Sequence, residues 1–107
     1  MIKHIVFWKL KDFAEGVTKE QNALKVKAML EDMRGKIPGM TVLEVGLNFE
    51  TSDAASDVSL YTEFDNRESL AVYQNHPLHM KIKEFLLKVR TERRVVDYEA
   101  SPKREPS

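Results

Sequence analysis

Three histidines and three tyrosines are the side chains of this 107-residue chain best suited to proton chemistry, and no cysteine stands beside them. Histidine has an ordinary pKa close to neutrality, so His4, His76 and His79 are the first candidates for a general acid or base. Thiolate nucleophiles, disulfides and cysteine-held metals are excluded outright. His76 stands directly before Pro77, where its side chain suits the cap of a helix that the proline begins rather than chemistry. His4 lies in a strand-like run and His79 in a helical one. A residue on the helix-facing side of a sheet meets residues of the helix packed over it, which brings His4 and His79 together, with Tyr73 on an adjoining short helix. Such a group can remove a proton from the carbon beside a carbonyl. Taken singly, His4 also reads as a strand-end histidine held by a backbone carbonyl, and Tyr73 as core with its hydroxyl on a polar partner. No metal site is expected, because zinc needs three or four convergent ligands and Pro77 interrupts the spacing of His76 and His79. Met29, Met33 and Met40 read as core.

The elements that must position these residues follow from the apolar periodicity. Residues 2–10 form a strand with His4, Val6, Trp8 and Leu10 on one face and Ile5 and Phe7 on the other. Thr18 and Gln21 make a capping box for a helix with Val26, Met29, Leu30, Met33 and Ile37 as its apolar stripe. Gly35 and then Pro38–Gly39 end it. Residues 40–49 form a second strand with Leu43, Val45, Leu47 and Phe49 on one face, residues 50–57 a loop, and residues 58–64 a third strand. Asp65 or Asn66 caps a short helix carrying Leu70 and Tyr73, which stops before His76 because the residue ahead of a proline disfavours helical geometry. Pro77 opens the next helix, with Leu78, Ile82, Phe85, Leu86 and Val89 facing inward. Residues 93–99 form the last strand, and the polar tail 101–107 is expected to be disordered. The order β-α-β-β-α-β is the ferredoxin-like arrangement: an α+β domain over residues 1–100, one four-stranded antiparallel sheet with helices on a single face.

The first and last strands offer apolar residues to both faces, so the sheet face without helices carries its own apolar surface. Such a surface marks an interaction, and a homodimer packed sheet to sheet is the economical solution. Ser59, Glu63 and Asp97 are the polar residues that would instead keep that face soluble. Seventeen basic residues balance seventeen acidic ones, so the basic surplus of a nucleic-acid binder is missing. The apolar run between Lys3 and Lys9 is too short for a secretory signal or a membrane span, and a cytoplasmic location with no membrane partner is expected.

The segments KHIVFWKLKD, EVGLNFE, YQNHPLH and VVDYE, in this order across about residues 2–99, resemble the Dabb family of stress-responsive dimeric α/β barrel proteins. The resemblance implies a ferredoxin-like fold and a homodimer whose two sheets form a barrel. Most members have no assigned reaction, some are plant proteins linked to stress tolerance, and one branch acts as polyketide cyclases that need no cofactor. In that branch a strand histidine, a helix tyrosine and the second histidine of an HPxH segment act on the substrate, positions matched by His4, Tyr73 and His79. On that pattern His79 is the general base, while His4 and Tyr73 hold the substrate oxygen. Trp8 departs from the cyclases, which carry an aliphatic residue there. Two expectations stand open: a dimer without a defined reaction that holds a small apolar ligand near Val6, Trp8 and Leu86, or a cofactor-independent cyclase-like or monooxygenase-like enzyme. A cavity open to both histidines favours the enzyme, and one plugged by Trp8 favours the first.

Overall fold

The computed structural model describes residues 1–101; the expected tail lies outside the described residues except for Ser101. The elements are β1 (Ile2–Leu10), β2 (Phe13–Ala14), β3 (Val17–Thr18), α1 (Lys19–Glu31), β4 (Met40–Leu47), β5 (Val58–Phe64), α2 (Arg67–Gln74), α3 (Pro77–Val89) and β6 (Arg90–Glu99). β4, β5, β1 and β6 form one antiparallel sheet in that spatial order. This is the expected ferredoxin-like α+β fold. Within one chain the sheet is open, with β4 and β6 as edges.

Local signals account for most boundaries. The Thr18 hydroxyl accepts from the Gln21 N–H at 3.3 Å and the Gln21 side chain accepts from the Thr18 N–H at 3.2 Å, satisfying two helix-end donors at once. Asn66 caps α2 by accepting from the Ser69 N–H at 2.8 Å. His76 Nδ1 accepts from the Leu78 N–H at 3.1 Å, so this histidine starts α3 as expected.

Four features differ from expectation. A two-residue turn at Glu15 and Gly16, both at positive φ, closes a small hairpin of β2 and β3. The buried Asn22 ties it to α1 by donating to the Ala14 carbonyl at 3.0 Å. Second, α1 ends at Glu31, yet Met33 and Ile37 stay buried in the turns that follow. Gly39, at φ 79°, lies so close to α2 that a Cβ there would meet the Ser69 hydroxyl at 2.2 Å, which only glycine permits. Third, Phe49 is not on a strand: Asn48 donates to the Glu50 and Ser56 carbonyls, turning the chain out of the sheet and leaving Phe49 95% exposed. Fourth, β6 begins at Arg90, directly after the last residue of α3.

The core lies between the sheet and the helices, with Val6, Val26, Leu60, Phe64 and Val89 at 1% exposure or less. On the opposite face Ile5 pairs with Val96, Phe7 with Arg94, and Lys3 with Tyr98. Phe7, Val96 and Tyr98 are 42%, 48% and 44% exposed, so this face carries apolar area to solvent. Ser59 and Glu63 lie on it as expected, opposite Phe7 and Lys3. Asp97 does not. It pairs with His4 and points to the helix side, because directly opposed residues of an antiparallel pair share a face. No helix among the described residues is long and apolar enough to cross a membrane.

Candidate functional site

A cavity of about 390 Å³ opens between β1, the end of α2, α3 and β6. Its floor is His4, Val6 and Trp8 from alternate positions of β1; Tyr73 closes one end, and His79, Ile82 and Leu86 of α3 form the roof. The strand period of two aligns the β1 residues, while the helix spacing of three and four aligns those of α3. All six residues singled out from the sequence therefore line one space. Trp8 is 4% exposed and forms a wall of the cavity without filling it. His76 lies outside, committed to its cap.

Tyr73 sits between the two histidines. Its ring centroid is 5.9 Å from that of His4 and 4.5 Å from that of His79, and Phe64 packs on it at 5.2 Å. Burial pushes the Tyr73 phenol well above its ordinary range, so it stays protonated and can donate. His79 Nδ1 donates to the Gln74 carbonyl at 3.0 Å, which leaves Nε2 with its lone pair. Burial lowers the His79 pKa; the Gln74 carbonyl opposes this, and the nearby His4, Lys83 and Arg93 add to it. His79 is therefore a neutral base at pH 7.

His4, 2% exposed, donates from Nδ1 to the Asp97 carboxylate across the β1–β6 pair. The carboxylate fixes the orientation of the ring. The His4 carbonyl accepts from the buried Thr62 hydroxyl at 3.1 Å, tying that residue's backbone to β5 as well. Among the described residues no sealed side-chain nitrogen or oxygen lacks a partner. The Tyr73 hydroxyl and His4 Nε2, which have no hydrogen-bond partner among the described residues, therefore face the cavity.

Asp97 was legible only as a polar strand residue. The signal that would have found it is cross-strand register, since a carboxylate opposite a buried histidine has to satisfy it. No group of three or more His, Asp or Glu side chains that could hold a metal ion occurs among the described residues.

Comparison with solved structures gives the same architecture. A dimeric ferredoxin-like protein of unknown function from Bacteroides fragilis is 32% identical, with 92% of this chain and 95% of that one covered, at a TM-score of 0.77. A dimeric ferredoxin-like protein of unknown function from Thermobifida fusca is 21% identical over 92% and 90% of the two chains, with a TM-score of 0.79. A Dabb family protein with a ferredoxin-like fold from Mesorhizobium loti is 21% identical over 94% and 97%, with a TM-score of 0.65. No curated protein matches the sequence. The model of the stress responsive A/B barrel domain matches residues 2–100, and the chain belongs to that family, Dabb.

Proposed function

We propose that the protein is a homodimer whose cavity binds a small apolar carbonyl compound and moves a proton on the carbon beside its carbonyl. The observation that carries this reading is the convergence of Tyr73, His79 and the Asp97-bound His4 on one open cavity, with the Tyr73 hydroxyl and His4 Nε2 unpartnered among the described residues. His79 takes the proton at Nε2. Tyr73 donates to the carbonyl oxygen as negative charge develops there, and His4, its ring fixed by Asp97, faces the same oxygen through Nε2. Val6, Trp8 and Leu86 exclude water from the apolar part of the ligand. The pairing of two copies is supported by the apolar open face of the sheet and by the dimeric state of the Bacteroides and Thermobifida proteins.

The test is proton–deuterium exchange at the methylene of an alkyl β-keto ester, followed by NMR in deuterated buffer at pH 7. The protein should accelerate exchange above the buffer rate. His79→Ala should remove about 10²–10⁴-fold of that acceleration, the usual worth of a placed general base, and leave the dimer intact. Exchange at the buffer rate with the unaltered protein would sink the proton-transfer reading. A variant that dissociates instead would make His79 a structural residue.

A further inference from the structure

The cavity has a charged mouth that the proton chemistry does not use. Lys83 on α3 and Arg90 and Arg93 on β6 line it together with the apolar walls. Residues three apart on a regular strand point to opposite faces, so Arg90 and Arg93 should not share one. They do because the β1–β6 register shifts between Lys9 and Leu10: Trp8 pairs with Arg93 while Leu10 pairs with Arg90, and both partners lie on the helix side. The irregularity turns two guanidinium groups toward the same opening.

None of the three cations forms an ion pair among the described residues. Asp97 is engaged by His4 of the cavity floor and is not itself a lining residue, and no carboxylate is among the residues that line the cavity. The positive charge of Lys83 and Arg93 reaches the interior, since both help to lower the His79 pKa. Unpaired guanidinium groups gathered at the rim of an apolar cavity are suited to an anion, which they bind with charge-assisted and often paired hydrogen bonds.

We propose that the ligand of this cavity is an anionic amphiphile, with its apolar body against Val6, Trp8 and Leu86 and its carboxylate or phosphate head on Arg90, Arg93 and Lys83. This rests on the reading of the cavity as the functional site and adds the class of molecule it takes. Trp8 is the single tryptophan of the chain, so its fluorescence reports occupancy of the cavity directly.

The experiment is a titration of the full-length protein with octanoate, octyl phosphate and octanamide at pH 7, read through Trp8. At least one anion should bind about tenfold or more tightly than the amide, as a charge-assisted head group implies. Arg93→Gln and Arg90→Gln, both at exposed or half-exposed positions, should bring the anions down toward the affinity of octanamide, and added NaCl should shrink the difference. The better of the two anions identifies the head group as carboxylate or phosphate. Equal affinity for all three probes would overturn the anion preference and leave the cavity reading standing. A Trp8 signal indifferent to all three would overturn both.

Discussion

β1 supports two surfaces that have little in common. Toward the helices it presents His4, Val6 and Trp8, at 2%, 1% and 4% exposure. Toward the open face it presents Ile5 and Phe7, with Phe7 42% exposed. Both sets are apolar enough for a core, yet only the first is enclosed by this chain. Within the enclosed set, space was left where the polar groups are, beside His4 and Tyr73. The difference teaches that apolar strand residues alone do not locate a site: the helix side is set apart by the enclosed space in which His4, Tyr73 and His79 meet.

The comparison breaks most sharply at Phe7. Phe7→Asp places two carboxylates near one another across the proposed two-fold interface, and sedimentation should show the dimer dissociation constant raised by at least about a hundredfold. Trp8 fluorescence should still respond to cavity ligands, because Phe7 lies on the other face. A variant that stays dimeric would move the interface elsewhere.

A second contrast compares two valines. Val6→Ala removes buried methyl groups and should cost about 2–3 kcal/mol in urea unfolding. Val96→Ala, at 48% exposure on the open face, should change the stability of the isolated subunit by less than about 0.5 kcal/mol and show its effect only in dimer affinity. Equal costs in subunit stability would mean that the two faces are not distinct in energy.

The smallest effect concerns pH. The folded protein lowers the His79 pKa, so as pH falls through the ordinary histidine value the unfolded chain takes up a proton first. The contribution of His79 to stability is complete above that value and is lost as pH falls toward the folded pKa. The melting temperature of the unaltered protein should therefore drop more between pH 8 and pH 5 than that of His79→Gln. Parallel curves would mean that burial does not penalise the charged ring. In turnover, the acid limb assigned to His79 should lie below the ordinary histidine range.

Much of this was legible in the sequence, for identifiable reasons. His4, Val6 and Trp8 were placed by the strand period, His79 and Leu86 by the helix period, and His76 by the proline after it. Each of these signals is local. The hairpin at Phe13–Thr18 escaped because Glu15–Gly16 lacks the asparagine or aspartate that usually marks such a turn. Phe49 was misplaced because the alternation of residues 43–49 outlasts the sheet, and the Asn48 side chain, not a change of pattern, ends the strand. Asp97 and the two mouth arginines were hidden for a deeper reason: their roles depend on which residue of β1 each one faces, and on an irregularity that alters that register.

β6 follows α3 without a connecting loop and alternates between two duties. Arg93, Val95 and Asp97 turn to the helix side, while Arg94, Val96 and Tyr98 turn to the open one. A strand cannot slide on one face alone, so any shift of the β6 backbone at Arg93 is also a shift at Val96 and Tyr98. A ligand that moved that backbone would link occupancy to self-association, and such linkage is reciprocal: whatever factor the ligand contributed to pairing, pairing would return to the ligand.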